Sequence, residues 1–247
     1  GSSETGDLDG MMKTLNHRGP DATGVFRSTR GPGALGHTRL SIMDPEGGDQ
    51  PIYNEDRSLA VVANGEIYNF PVLRPDLEHH HSFYTTNDSE AILHLYEDEN
   101  AASVSRLDGM FSFLIADGAN VFAARDPIGI KPLYYGSKGN SMYFASELKA
   151  LSGRCENVKE FPPGSIFHTS DGFKTFYSVP QVEPEEKPAE DHIRTLRKTL
   201  EECVTKRLMS DVPLGAFLSG GIDSSIITAV TRQHIDDLHT FSVGIEG

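Results

Sequence analysis

The chain has 247 residues, enough for one large domain or two of ordinary size. Acidic residues outnumber basic ones 36 to 22, for a net charge of −14, which repels phosphate backbones and anionic lipid surfaces, so neither nucleic acid nor a membrane is an expected partner. No apolar run approaches the roughly 20 residues of a membrane helix, no signal peptide is visible, and two cysteines make no disulfide framework, so the cytoplasm is the expected compartment.

Along the chain, Leu8, Met11, Met12 and Leu15 share one face of a short helix, which His17-Arg18-Gly19-Pro20-Asp21 breaks. Strand-like runs follow over 23–28, 34–40, 58–64, 110–117, 120–126, 133–136 and 141–145. Gly, Pro, Asn and Asp turns separate them, as in antiparallel structure. Two helical patterns interrupt the strands. One lies near 68–77, broken by Pro71 and Pro75; the other covers 88–97, with Ile92, Leu95 and Tyr96 apolar. Two groups of strands with helices between them fit an α+β sandwich.

Composition shifts near Ser178. Pro180, Pro184 and Pro188 stand among Glu183, Glu185, Glu186 and Glu190, which reads as a semi-extended linker over 178–190. The expected domains are therefore 1–177 and 191–247. The second opens on a helix over 191–209, with Ile193, Leu196, Leu200, Val204 and Leu208 on one stripe. A buried strand over 213–218, a Gly220-Gly221 turn, a helix over 224–234 and a strand over 239–245 follow. This order belongs to a parallel α/β sheet. One crossover cannot cover both faces of such a sheet, so the second domain is expected to be incomplete as given.

The sharpest motif is Leu218-Ser219-Gly220-Gly221-Ile222-Asp223-Ser224-Ser225, between an apolar strand and a helix. Two glycines let successive N–H groups curl toward one anion, and the helix adds its positive end. Ser219, Ser224 and Ser225 offer hydroxyls, and Asp223 suits a phosphate site if Mg²⁺ lies between them. The plain alternative is a strand-to-helix turn capped by Ser and Asp. No Gly-Lys-Ser/Thr ending follows, so this is not a P-loop. The string resembles the phosphate loop of the ATP-pyrophosphatase family, which cleaves ATP between its α and β phosphates. That resemblance implies ATP and Mg²⁺ as cofactors, with Asp223 positioning Mg-pyrophosphate. Ser219, Gly220, Gly221, Ser224 and Ser225 would hold phosphate, and Phe217, Leu218, Val243 and Gly244 would border the adenosine.

Four polar clusters lie earlier, at strand ends and helix starts. They are Arg39-Leu40-Ser41-Ile42-Met43-Asp44, Asn64-Gly65-Glu66-Ile67-Tyr68-Asn69, Thr86-Asn87-Asp88-Ser89-Glu90, and the run 125–135 that opens Arg125-Asp126. Singly, each has an ordinary explanation: Arg39 pairs with Asp44, Asn64-Gly65 makes a turn, Asp88 caps a helix. Together with the His17-Arg18-Gly19-Pro20-Asp21 loop they resemble the class II glutamine amidotransferase domain. With the glycine loop added, the chain resembles the glutamine-hydrolysing asparagine synthetase family, motif by motif and in order. The resemblance implies a four-layer αββα sandwich of the N-terminal nucleophile type, then an incomplete parallel-sheet ATP-pyrophosphatase domain. It implies that Arg39, Leu40, Ser41 and Ile42 bind glutamine, with Arg39 on its carboxylate, a task that suits a two-pronged guanidinium. It places Asp88, with Glu66, at the ammonium. It makes the Asn64 side chain and the Gly65 N–H the donors of an oxyanion hole.

The family's nucleophile is a cysteine at the first position, activated by its own amine. This chain begins Gly1-Ser2-Ser3, and Cys155 and Cys203 are internal. Cys203 reads as packing. Either a short strand beginning with Cys precedes Gly1 in the natural protein, or the chain is a relative that has lost glutaminase, as the β-lactam synthetases have. The retained polar set favours the first, because buried polar groups are costly without use. The chain as given is expected to be inactive in synthesis. The expected reaction of the whole protein converts glutamine, aspartate and ATP to asparagine, with a homodimer as one expected assembly. An enzyme using another acid, and a non-catalytic glutamine- or nucleotide-binding module, stand as alternatives. His79-His80-His81, with His94, is read as a solvated loop rather than a metal site, and Lys131 as structural.

Overall fold

Residues 59–63 are apolar without alternation, which a strand shows when both its faces are covered. The computed structural model, which describes residues 4–29, 31 and 33–244, supplies that cover. The chain divides into two compact units, Gly1–Pro180 and Gln181–Gly247.

The first unit contains α1 (Glu4–Leu15), β1 (Ala22–Arg27), β2 (Ala34–Arg39), β3 (Ile52–Tyr53), β4 (Leu59–Ile67), α2 (Phe70–Leu77), α3 (Glu90–Glu99), β5 (Gly109–Asp117), β6 (Asn120–Arg125), β7 (Tyr134–Lys138), β8 (Ser141–Ala145), α4 (Leu148–Leu151), β9 (Glu156–Glu160), β10 (Ser165–His168) and β11 (Gly172–Thr175). Six strands form one antiparallel sheet in the order β11-β10-β6-β5-β4-β3. The pair β1-β2 and the triplet β8-β7-β9 face it as a second layer. Helices α2 and α3 cover the six-stranded sheet, and α1 and α4 cover the other layer. The result is the expected αββα sandwich. Its inter-sheet core includes Leu35 against Ala60, Val62 and Ala116, and Phe161 and Leu133 against Ala123 and Phe167. Burying each such large side chain stabilises the fold by about 1.5–3 kcal/mol.

Several elements differ from the sequence reading, each for a local reason. The prolines do not break α2: Pro71 lies in the first turn, where its missing N–H has no helical partner anyway, and the helix continues through Pro75. Helix α3 begins at Glu90 instead of residue 88. Asn87 accepts the Ser89 N–H at 2.9 Å, a local turn that competes with helix. Strand β9 has the sequence ENVKE and no apolar pattern; it is a sheet edge, where charge is the ordinary protection against stray pairing. Cys155 is half-buried beside Leu151, and its thiol is pushed up by burial.

The second unit contains α5 (Ala189–Thr205), β12 (Gly215–Phe217), α6 (Ile222–Thr231) and β13 (His239–Phe241). β12 and β13 pair in parallel, as the strand–turn–helix–strand order implies. The expected buried strand is corrected: β12 is three residues long and Phe217 is 85% exposed. Its sheet has one partner strand, and α6 packs on it with α5 behind. The stripe residues Ile193 and Leu196 of α5 are likewise exposed. Ile245, the expected end of the last strand, lies outside the described residues. Among the described residues, no helix is long and apolar enough to cross a membrane.

Candidate active site

Alternation along two facing strands builds the site. Leu35, His37 and Arg39 share one face of β2, and Ala60, Val62, Asn64 and Glu66 share one face of β4. Leu35, Ala60 and Val62 are inter-sheet core. The later residues of both strands are polar, and there the core gives way to a cavity of about 300 Å³. Of the expected glutamine residues, Arg39, Leu40, Ile42, Asn64, Gly65, Glu66 and Asp88 line it. Ser41 does not; its N–H donates to Asp21 Oδ2 at 2.8 Å. Arg18, His37, Gln50, Asn87, Ser89 and Lys131 also line the cavity, and of these His37 and Gln50 had no place in the sequence reading.

The open edge of β4 is the central feature. β3 pairs with β4 only at Ile52–Val61 and Tyr53–Ala60. The next residue back along β3 is Pro51, which has no N–H to extend the ladder. Continuing that register would set Gln50 opposite Ala63, and the Gln50 side chain takes over from the main chain there. Its Nε2 donates to Ala63 O at 3.1 Å and its Oε1 accepts the Ala63 N–H at 2.6 Å. Four residues on, the Ile67 N–H donates to Asp88 Oδ2 at 2.6 Å. The Tyr68 N–H goes the other way, to Asp108 O next to β5. The strand alternation therefore turns the Gly65 N–H toward the cavity, between the groups that Gln50 and Asp88 occupy. Gly65 cannot be larger: a Cβ there would lie 2.2 Å from Met110 O.

The Asn64 side chain stands beside that N–H. Its Nδ2 is buried and has no hydrogen-bond partner. An unsatisfied buried donor costs about 1–3 kcal/mol, and a ligand oxygen would relieve it. His37 Nε2 lies 3.1 Å from Ala63 O, while its Nδ1 is buried without a partner. Burial lowers the His37 pKa to about 4, so the ring is neutral at pH 7. Asp88 is 2% exposed, and burial, opposed by the Ile67 N–H and supported by nearby Glu66, raises its carboxyl to about 6. It is mostly ionised at pH 7 and has a reason to welcome a cation.

Arg39 is 5% exposed at the end of β2. Its Nη1 donates to Asp49 Oδ1 at 2.7 Å, and its Nη2 to the carbonyls of Met43 and Asp44 at 3.0 and 2.5 Å. The Arg39–Asp44 pairing read from sequence is thus to the main chain. The Asp44 carboxylate instead accepts the Gly47 and Thr86 N–H groups. Behind the cavity, buried Asp126 accepts the N–H groups of Ile128, Ile130 and Lys131. Arg125 donates to the carbonyls of Gly129, Lys131 and Phe161. Together they hold the loop that brings Lys131 to the cavity wall. At the other rim, Glu147 receives His17, Arg18 and Lys149, and Lys149 foremost, with Arg18 and His17, lowers its carboxyl to about 2.

In the second unit, Gly220 has φ +83°, the left-handed region that favours glycine, and Gly221 caps α6 without a side-chain bond. Ser219 and Ser224 hydroxyls lie 3.0 Å apart, and Ser225 Oγ donates to Gly221 O at 2.7 Å. Asp223 is in the first turn of α6. Leu218 is anchored to β13 by its N–H to Phe241 O at 2.8 Å. Val243 is 95% exposed. Phe217 and Ser224 line a separate cavity of about 380 Å³ among α6, β12 and the segment that follows α5, which the other expected nucleotide residues, Gly244 included, do not border.

A family model described as a glutamine amidotransferase domain matches residues 1–198, and one described as asparagine synthase matches residues 195–247. The glutamine-hydrolysing asparagine synthetase 2 of Arabidopsis thaliana is 43% identical over 96% of this chain and 43% of its own length. The corresponding protein of Asparagus officinalis is 44% identical over 96% of this chain and 42% of its own length. This chain therefore spans less than half the length of these relatives. Among solved structures, a glutamine phosphoribosylpyrophosphate amidotransferase from B. subtilis matches with a TM-score of 0.58 at 21% identity, over 94% of this chain and 61% of that one, a likeness of fold alone. The sandwich and the match over residues 1–198 agree: the chain belongs to the glutamine amidotransferase domain family and runs into an asparagine synthase region.

Proposed function

We propose that the whole protein is a glutamine-dependent asparagine synthetase, acting in the cytoplasm. The observation that carries this reading is the unpartnered Asn64 Nδ2 beside the cavity-facing Gly65 N–H, in the cavity that Arg39 and Asp88 also line. Glutamine's carboxylate takes Arg39, displacing the exposed Asp49; its ammonium takes Asp88. Its side-chain carbonyl then meets Asn64 and Gly65. Attack on that carbonyl moves an electron pair onto oxygen, and two donors already in place stabilise the charge. Collapse breaks the C–N bond and releases ammonia as the leaving nitrogen takes a proton, and water then hydrolyses the acyl group from the attacking thiol to give glutamate. Neither Cys155 nor Cys203 lines the cavity, so the attacking thiol of the family is not one of them.

In the second unit, Gly220, Gly221 and the serines fit a polyphosphate, and Asp223 fits a Mg²⁺ that shares it. Mg-ATP supplies the adenylyl group: the β-carboxylate of aspartate takes up AMP, pyrophosphate leaves, and ammonia then displaces AMP to give asparagine. The full-length protein tests the reading. One asparagine, one AMP and one pyrophosphate per glutamine consumed are expected. Pyrophosphate exchange driven by a different acid, or glutamine bound intact with no ammonia formed, would overturn it.

A further inference from the structure

On the helix side of the sandwich, far along α3 from Asp88, four ligand-bearing side chains from three segments converge. Glu55 follows β3, His81 follows α2, and His94 and Glu97 lie one turn apart on α3. One ligand atom from each lies within 4.8 Å of all the others. Glu97 Oε2 is 2.8 Å from His94 Nδ1 and 3.6 Å from His81 Nδ1, and Glu55 Oε1 is 3.6 Å from His81 Nδ1. The two imidazoles stack at 4.5 Å, so the same nitrogen of each faces the carboxylates.

The outer nitrogens matter as much. His81 Nε2 is 3.0 Å from Asp98 Oδ1, and His94 Nε2 is 3.6 Å from Glu90 Oε1. His94 and Glu90 are both 0% exposed. A histidine that binds a metal through one nitrogen ordinarily gives its other N–H to a carboxylate, which fixes the ring. Here both do. The carboxylates are held too: Glu97 Oε1 accepts Asn54 Nδ2 at 2.8 Å, and Glu55 Oε1 accepts the Ser82 N–H at 2.7 Å. The expected solvated loop is therefore corrected in part. His79 and His80 are exposed, whereas His81 is drawn inward to this cluster.

We propose that Glu55, His81, His94 and Glu97 bind one divalent transition-metal ion, with Zn²⁺ the best match. Two imidazoles and two carboxylates make a closed tetrahedral set for Zn²⁺, whereas Mg²⁺ and Ca²⁺ take oxygen ligands. A tetrahedron with bonds of about 2.0–2.1 Å has edges of about 3.3 Å, within the range of the spacings here. The site is structural. It ties the β3–β4 connection and the α2–α3 connection to α3. From there Glu90 grips the Tyr84 and Thr85 N–H groups, and Thr86 reaches Asp44 behind Arg39.

The test is calorimetric titration of ZnCl₂ into chelator-stripped, tag-free full-length protein, with Co²⁺ spectra as a second readout. The expected result is one equivalent per chain at submicromolar affinity, with a raised Tm and the absorption of four-coordinate Co²⁺. His81→Ala and Glu55→Gln, both on connections outside the buried face of α3, are expected to weaken binding at least about a hundredfold while leaving the metal-free fold intact. The double change His79→Ala/His80→Ala is expected to leave it unchanged. No saturable binding by the wild type, equal binding by His81→Ala, or loss in the His79/His80 variant would overturn the proposal.

Discussion

The two candidate sites reach opposite solutions to holding an anionic or polar ligand. In the first unit the groups are enclosed. Arg39 and Asp88 are nearly inaccessible, Asp88 is shifted to about 6 by burial, and Asn64 keeps an unsatisfied donor. In the second unit the loop is open, its hydroxyls bond one another and the backbone, and Phe217 and Val243 face solvent. A cavity stores free energy in unpaired groups that a ligand relieves. A glycine loop stores none; its work is done by backbone direction and a helix end. The first kind of site is sensitive to single side chains, and the second to backbone freedom.

The largest test of that contrast is Asn64→Ala. Loss of one oxyanion donor is expected to cut kcat for glutamine hydrolysis by about 10²–10³ with little change in KM. Asparagine formation from added ammonia is expected to be unaffected, and an equal loss there would break the contrast. Next comes Asp88→Asn. The folded carboxyl sits near 6, above the ordinary 3.8 of an aspartate, so stability falls as pH rises through that window and the whole penalty is present at pH 7. Removing the charge is expected to raise stability by up to about 3 kcal/mol at pH 7, vanishing near pH 4, and to weaken glutamine binding strongly. In the unchanged protein the same titration predicts that glutamine KM rises below about pH 6, approaching tenfold per pH unit; a flat profile down to pH 5 would remove Asp88 from the ammonium. Gly220→Ala comes third. A Cβ at φ +83° costs about 1–2 kcal/mol, and the ATP-dependent step is expected to suffer while glutaminase does not. The smallest effect is that of Ser41→Ala, within about 0.5 kcal/mol and without change in glutamine KM, because only its main-chain N–H is engaged. A tenfold rise in KM would return its hydroxyl to the site.

Arg39, Asn64, Gly65 and Asp88 were readable from sequence because each sits in a run of several residues whose types suit one chemistry. The sandwich was readable because its central strands are long and apolar. His37 and Gln50 were not. Each belongs to no motif, and each acts on Ala63, more than a dozen residues away in sequence, through pairing that only the folded register creates. The Glu55–Glu97 cluster was hidden for the same reason: four ligands spread over some forty residues have no spacing to recognise. In the second unit the order of elements was readable, but the burial of β12 depends on neighbours that no local pattern encodes.

One feature of β4 has a bearing on selectivity. Because Gln50 and Asp88 already occupy the outward positions on either side of Gly65, the strand offers a guest a single donor, not a row. A peptide laid alongside would need consecutive outward groups and would collide with both side chains. A free amino acid needs only to insert one carbonyl. With the proposed function, the same two residues that complete the edge would favour glutamine as a free molecule over glutaminyl residues within proteins, and they occupy the positions through which a stray chain would zip onto the strand.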